Sequence, residues 1–343
     1  MKPQQGYDFI GDVHGCAQTL RALLAQLGYV QATNKAGESV YEYHEGKSQR
    51  IVVFLGDLID RGPRIVETVK LVKAMVEQGS AICLLGNHEL HALMYAAKSR
   101  LDDSDLEIIY DISRYRTDAA DSFLVSHNER RAAVLQDTLQ QYQAVATELW
   151  ESHLNWFATL PIYFEAAECR AAHACWHDEL IRAFEAQYRS SAMSAKALID
   201  MQDTTSLAYR TIDTLSRGVQ LRLPGGHTMP SEFGGSRRRF RTRFWDTDAQ
   251  SLADLALQPD PLPNQVAALE ISDEQRKSLI HYPDDAPVLF IGHYWLEGSP
   301  KPLARNIICL DYSAVKGGKL AAYRFYFGEA IRQDHFVTQS NIE

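Results

Sequence analysis

Three short segments concentrate the residue types that bind divalent cations and phosphate: Gly11-Asp12-Val13-His14-Gly15, Gly56-Asp57-Leu58-Ile59-Asp60-Arg61-Gly62 and Gly86-Asn87-His88-Glu89. Two later histidines, His173 in Ala171-Ala172-His173-Ala174 and His293 after Gly292, sit in similar surroundings. Two divalent cations roughly 3.5 to 4 Å apart can clamp a phosphoryl group and acidify a bridging water, provided that an anionic ligand lies between them and neutral ligands complete each shell. Asp57 is assigned the bridge. Asp12 and His14 join it around one metal, and Asn87, His173 and His293 join it around the other. Nitrogen and oxygen donors without thiolate suit manganese, iron or zinc, with manganese as the working choice. Any one of these residues alone would read as a helix cap or a loop residue; six in this order read as a two-metal site.

The residues must be positioned by strands. The runs 7–10, 51–55 and 81–85 are short and apolar and end in glycine, as buried strands do. The run from about Cys169 and the run 288–291 likewise end at a histidine. After the first two runs the spacing turns helical: Leu20, Leu23, Leu24 and Leu27 share one face of 17–27, and Ile65, Val66, Val69, Val72 and Val76 repeat through 63–78, which opens on a proline. Strand, polar loop and helix thus recur, and the loops at the carboxyl ends of the strands gather along one rim.

The order of these motifs resembles that of the calcineurin-like metallophosphoesterases, in the phosphoprotein phosphatase branch. Residues 11–16 and 56–63 are most similar to bacterial members that include symmetrical diadenosine tetraphosphate hydrolases and small Ser/Thr or Tyr phosphatases. Cys309-Leu310-Asp311-Tyr312-Ser313 with Gly317-Gly318-Lys319-Leu320 is similar to a further stretch near the end of those proteins, so the resemblance frames residues 7–327. It implies that His88 protonates the leaving oxygen, that Asp60 orients His88, and that Arg61 and Asn87 bind the phosphoryl group. A planar guanidinium suits two phosphate oxygens. Glu89 is read as an acceptor for a loop amide or a ligand histidine. Two departures stand out: Cys175 follows Ala174 where the family usually has glycine, and Tyr312-Ser313 replaces Thr-Gly. The family's second phosphate-binding arginine has no unique counterpart; Arg241 and Arg243 are candidates, with Arg237, Arg238 and Arg239 just before them as either a substrate clamp or a solvated loop after Gly234-Gly235.

The resemblance implies an α/β (α+β) four-layer sandwich, two mixed β-sheets flanked by helices. The whole chain, 1–343, reads as a single domain with helical insertions at about 101–150 and 178–220, which would set access to the metal centre. A net charge of −9 argues against stable nucleic-acid binding. Five cysteines without framework spacing point to a reducing compartment. No apolar segment is long enough for a leader or a membrane span, so the cytoplasm is the expected location. Cys16 and Cys175 read as small packing residues. The expected activity is hydrolysis of phosphomonoesters, of the protein Ser/Thr phosphatase kind, by a metal-bound hydroxide without a covalent enzyme intermediate. Hydrolysis of dinucleoside polyphosphates is the alternative, and a catalytically silent metal-bound binding module is a third reading. The partner is accordingly a phosphorylated small molecule, phosphoprotein or nucleotide.

Overall fold

Alternation along the strands explains how two sheets come to lie face to face. In the computed structural model Phe9, Val53, Leu55, Cys169, Ala171, Phe290, Leu310, Ala321 and Phe325 form one fully buried cluster, drawn from both sheets. Their strand neighbours Ile10, Val52, Phe54, Ala172, Leu289 and Ile291 point the other way, into a larger cluster shared with the helices. Period-two side-chain alternation therefore gives each strand two buried faces and the molecule four layers. The rings of Phe9 and Phe290 stack across the sheets at 3.7 Å between centroids. The structure describes residues 4–44, 49–101, 106–110, 124–125, 128–145, 147–230, 236–257 and 262–343.

The first sheet runs Asp311–Tyr312, Lys319–Tyr326, Gln4–Ile10, Gln49–Phe54, Ala81–Cys83, and Phe336–Ser340 also pairs with Lys319–Tyr326. Its three motif-bearing strands are mutually parallel, with Phe9 opposite Val53 and Val53 opposite Ile82. The second sheet runs Ile307–Cys309, Val288–Ile291, Cys169–Ala172, Tyr163–Glu165, and the first three are parallel. Parallel strands deliver their carboxyl ends to the same edge. Both sheets are mixed, as the sandwich requires.

Helix Ala17–Gln26 buries Leu20, Leu23 and Leu24, and helix Ile65–Gln78 buries Val69 and Val72 before ending at Gly79 with φ 81°. The second helix starts at Ile65 rather than Pro63, because the Arg64 amide donates to Gly15 O at 3.0 Å and holds the two loops together. A helix, Asn87–Ala96, also begins within the third motif, with Gly86 at its N-cap. Residues 178–220 contain helices Asp178–Tyr188, Ala195–Asp200 and Leu207–Arg217. Within 101–150, helix Glu129–Gln143 and the start of helix Thr147–Thr159 follow a strand, Leu106–Tyr110, paired antiparallel to Ala97–Leu101, so the helical reading of that tract is corrected there. Its alternation of Leu106, Ile108 and Tyr110 suits a strand. The tract also includes residues outside the described ones.

Residues 220–271 build a satellite core around Leu221, Phe240, Leu252 and Leu255. Here Arg239–Arg241 pairs with Gln220–Arg222 and Ser236–Arg237 with Met229–Pro230, so the basic segment is strand rather than open loop; Gly234 and Gly235 lie outside the described residues. Among the described residues no helix is long and apolar enough to cross a membrane.

Candidate metal centre

Loops leaving five strand ends meet at one rim, and their backbone is bent sharply to do so. His14, Asp57, Asp60, Arg61, His293 and Trp295 all have positive φ, between 43° and 73°. Such conformations cost of order 1–3 kcal/mol each in non-glycine residues and persist only where the surroundings over-determine them. Close backbone approach is equally tight: a Cβ on Gly86 would lie 2.2 Å from Asp57 Oδ1, and one on Gly292 2.1 Å from Asp12 Oδ1.

Asp57 lies at the middle. Its Oδ1 accepts the His88 amide at 3.0 Å, at the start of helix Asn87–Ala96. This leaves Oδ2 facing three imidazole Nε2 atoms, at 3.6 Å from His14, 3.8 Å from His88 and 3.4 Å from His173. Two groups of His and acidic side chains have the spacing of a cation site, His14, Asp57, His88 and Asp57, His173, His293, and Asp57 is common to both. Burial opposes ionisation of Asp57, but the surrounding imidazoles outweigh it and hold its carboxyl well below the usual range. Glu89, fully buried, accepts the amides of Asp57 at 2.9 Å, Leu58 at 2.7 Å, Ile59 at 3.2 Å and Gly86 at 3.1 Å. It therefore fixes the loop that carries Asp57, in the loop-amide role expected of it, while burial pushes its own carboxyl up to about 7.

The histidine tautomers are set by backbone carbonyls. His14 Nδ1 donates to Ile59 O and His173 Nδ1 to Leu55 O, both at 2.7 Å, so each presents Nε2 inward. For His173 that nitrogen faces Asn87 Oδ1 at 3.0 Å and Asp57 Oδ2 at 3.4 Å. A neutral imidazole there completes three converging acceptors, an arrangement that requires a positive charge among them. Burial disfavours a proton on His173, yet Asp57 outweighs burial and pushes its pKa up to about 10; a divalent cation meets the same need. His293 Nδ1 lies 2.7 Å from Asn87 Oδ1, and its buried Nε2 has no hydrogen-bond partner among the described residues. These donors fit a dinuclear centre.

Asp12 accepts the His293 amide at 3.1 Å through Oδ2. It stands beside the two compact groups rather than within them, and burial, then Asp311, raises its pKa well above the usual value. Arg61 donates to His14 Nε2 at 2.7 Å and lies 4.3 Å from the Trp295 ring centre. Asp311 orients that tryptophan by accepting its amide at 2.8 Å. Arg241 Nη1 reaches His293 O at 3.5 Å and its guanidinium lies 5.7 Å from the same ring, whereas Lys316 Nζ lies 3.5 Å from it. Arg243 lines a separate cavity with Trp245, Trp295 and Lys301. Arg238 and Arg239 are exposed.

On the other side of Asp57, His88 Nδ1 and Asp60 Oδ2 are 2.5 Å apart. Burial pushes Asp60 up to about 8 and His88 down to about 3, so between these limits the pair carries one proton and no net charge. The partner that holds Asp60 was not foreseen. Thr138, fully buried in helix Glu129–Gln143, accepts the Asp60 amide at 3.0 Å and donates to Asp60 Oδ1 at 2.5 Å. Gln141, one turn on, accepts the Ile65 amide at 2.7 Å and donates to Gly62 O at 2.8 Å. Arg217, also unforeseen, ends a helix whose Leu215 carbonyl accepts the Ala174 amide at 2.7 Å. Its charge bears on both His88 and His293.

A family model described as calcineurin-like phosphoesterase matches residues 7–207. The chain is 44% identical over 82 residues to a Bacillus subtilis (strain 168) bis(5'-nucleosyl)-tetraphosphatase PrpE [asymmetrical], a match covering 24% of this chain and 30% of that one. Over 98 residues it is 36% identical to a symmetrical bis(5'-nucleosyl)-tetraphosphatase of Pseudomonas fluorescens (strain Pf0-1), covering 28% and 27%. The chain thus spans less than a third of the length of these relatives. A cold-active protein-tyrosine phosphatase of a psychrophilic Shewanella species superposes with a TM-score of 0.49 at 16% identity, covering 98% of this chain and 80% of that one.

Proposed function

This chain belongs to the calcineurin-like phosphoesterases, a family of hydrolases, and we propose that it hydrolyses phosphomonoesters at a dinuclear metal centre in which Asp57 would be the shared ligand. Asp12 and His14 would hold one metal with it, and Asn87, His173 and His293 would hold the other. Bound divalent cations, manganese in our reading, would supply Lewis-acid stabilisation of the phosphoryl oxygens and a water acidified enough to act as nucleophile. The chain's own residues do the rest. Arg61, held by the Trp295 ring and His14, presents its guanidinium to the phosphoryl oxygens. His88 delivers the proton of the Asp60 pair to the leaving oxygen, a role that typically contributes a factor of about 10² to 10⁴. Arg241, beside His293 and the same tryptophan, is the second phosphate arginine; Arg243 lies further out. The five cysteines are all free, which fits a reducing cytoplasm.

The observation that carries the reading is the convergence of the His14, His88 and His173 imidazoles on Asp57 Oδ2 at 3.4 to 3.8 Å, with the far nitrogen of His88 2.5 Å from Asp60 Oδ2. The gathering of Arg61, Arg241 and Lys316 within 6 Å of one indole favours, as a second reading, a substrate with adjacent phosphates such as a dinucleoside polyphosphate. The test is a panel assay with manganese, comparing 4-nitrophenyl phosphate, phosphopeptides, diadenosine tetraphosphate and a phosphodiester. Hydrolysis of the monoesters that is lost on chelation supports the first reading; diadenosine tetraphosphate alone supports the second, and no hydrolysis of any refutes both.

A further inference from the structure

Strand Phe336–Ser340 pairs antiparallel with Lys319–Tyr326, and from Ser340 the chain runs to the starts of the two helices that follow the first two motifs. Glu343, whose side chain is 5% exposed, puts one carboxylate oxygen on each. Its Oε1 accepts the Thr19 amide at 2.9 Å, in the first turn of helix Ala17–Gln26, and its Oε2 lies 3.2 Å from Nε of Arg64, the N-cap of helix Ile65–Gln78. Ile342 donates its amide to Thr19 Oγ1 at 3.1 Å. Asn341 Nδ2 donates to Ala314 O at 2.9 Å and lies 3.9 Å from Cys16 Sγ, while its Oδ1 accepts the Glu343 amide at 2.8 Å. Cys16 Sγ in turn donates to His14 O at 3.7 Å.

The carboxylate answers two local needs. Neither Cys16 nor Arg64 caps its helix with a side chain, and helix Ala17–Gln26 has no acidic residue in its first turn. Glu343 satisfies the amide of buried Thr19, which belongs to the first, unpaired set of the helix, and its charge complements the dipole there. Arg64 is a cation at a helix N-terminus, where the dipole disfavours it, and Glu343 offsets that together with Glu67 at 3.6 Å. The two loops already share backbone bonds: His14 donates to Asp57 O at 2.9 Å, Gly15 to Leu58 O at 2.8 Å and Arg64 to Gly15 O at 3.0 Å. Glu343 joins the helices on which those loops end. We propose that residues 341–343 are a strap whose Glu343 carboxylate positions the His14 loop against the Asp57 loop, and so sets the affinity of the metal position that His14 serves. Glu343 is a positioning residue, acting through Thr19 and Arg64. Only the consequence for metal rests on the dinuclear reading; the holding of the loops stands apart from it. Ile342 is 50% exposed, so polar bonds rather than apolar burial keep the strap in place.

The experiment titrates manganese into the full chain by calorimetry and follows amide hydrogen exchange in the same protein. Glu343→Ala should weaken one of two binding steps by about three- to tenfold, the scale of one lost helix cap, and leave the other within about twofold. Glu343→Gln keeps an acceptor for the Thr19 amide but not the charge beside Arg64, and should fall between. Arg64→Gln should weaken the same step, and Glu343→Ala should add less in that background than in the wild type. Exchange should quicken within 13–20 and 62–66 and stay unchanged in helix Asn87–Ala96. With 4-nitrophenyl phosphate, the rate lost by Glu343→Ala at limiting manganese should return at saturating manganese, which a merely destabilised chain would not show. Unchanged exchange and unchanged binding steps overturn the strap and leave the dinuclear reading standing. Equal weakening of both steps with faster exchange throughout the chain also overturns it, as ordinary loss of stability. No manganese bound by any form, with faster exchange confined to the two loops, refutes the dinuclear reading and supports the strap as their holder.

Discussion

Thr138→Val is the most informative single change, because it removes one oxygen and keeps the shape of the side chain. That oxygen accepts the Asp60 amide at 3.0 Å and donates to Asp60 Oδ1 at 2.5 Å, with both residues fully buried. Water cannot replace either bond, so each orphaned group costs about 1–3 kcal/mol. The two share one residue and are not additive, which sets the expected destabilisation at about 2–4 kcal/mol. The kinetic effect is separate. Asp60 orients His88, and a loosened Asp60 should lower the rate by about ten- to a hundredfold, a fraction of what a positioned acid contributes. The assay compares kcat on 4-nitrophenyl phosphate, whose leaving group needs little protonation, with kcat on benzyl phosphate, and records thermal unfolding alongside. The loss should be markedly larger for benzyl phosphate, and Thr138→Ser, which keeps the hydroxyl, should recover most of it. Equal losses on the two esters, or a serine variant no better than the valine, would refute the claim that Thr138 acts through Asp60 on the proton.

Asp57→Asn should abolish turnover and weaken binding of both metals, measured by metal content after dialysis, since it removes the shared charge; two retained metals with a near-normal rate would sink the bridge assignment. His88→Asn should keep its metals while the rate falls by about two orders of magnitude or more, with a smaller loss on 4-nitrophenyl phosphate. Arg241→Gln should raise KM and lower kcat even for 4-nitrophenyl phosphate, whereas Arg239→Gln, at an exposed position two residues further from His293, should leave both unchanged; the opposite pattern would return the clamp to the basic segment. At Arg61, where φ is 69°, Arg61→Gly should unfold no more easily than Arg61→Ala, reversing the ordinary penalty of about 0.5–1 kcal/mol for glycine, and an alanine variant more stable by that margin would show that the strain is absent.

The sequence was informative wherever chemistry and punctuation coincide. Asp12, Asp57, Asn87, His173 and His293 each follow an apolar run directly or across a single glycine, and the structure carries all of them to one rim because the strands that deliver them are parallel. What escaped sequence reading depends on contacts between distant segments. Thr138 lies 78 residues from Asp60, on the inner face of an amphipathic helix, where a threonine looks like any packing residue. Arg217 at a helix C-terminus is what the helix dipole favours anyway, so it carries no distinguishing local signal. Arg241 and Arg239 are two residues apart on one strand and equivalent in sequence, and only the sheet register and the turn at His293 separate their fates. The strand Leu106–Tyr110 fell inside a tract whose downstream helical spacing dominated the reading.

The left-handed residues explain why this rim is rigid enough to be a site. Of eight non-glycine residues with positive φ among those described, six are His14, Asp57, Asp60, Arg61, His293 and Trp295, and a seventh, Ser313, donates its amide to the Asp311 carboxylate that orients Trp295. A carboxylate or an imidazole at a relaxed strand end would point along the sheet edge. At His14 and Asp57 the left-handed turn brings the two side chains together, and His88 and His173 reach the same Asp57 Oδ2 from backbone without positive φ. Burial of Glu89 under four amides and of Thr138 against Asp60 holds those turns in place. The strain is therefore sustained by groups outside the ligand set, and the same groups decide how well the proton pair is aimed. Helix Glu129–Gln143 supplies both Thr138 and Gln141, so one element outside the ligand set holds the Asp60 loop and the start of helix Ile65–Gln78 together.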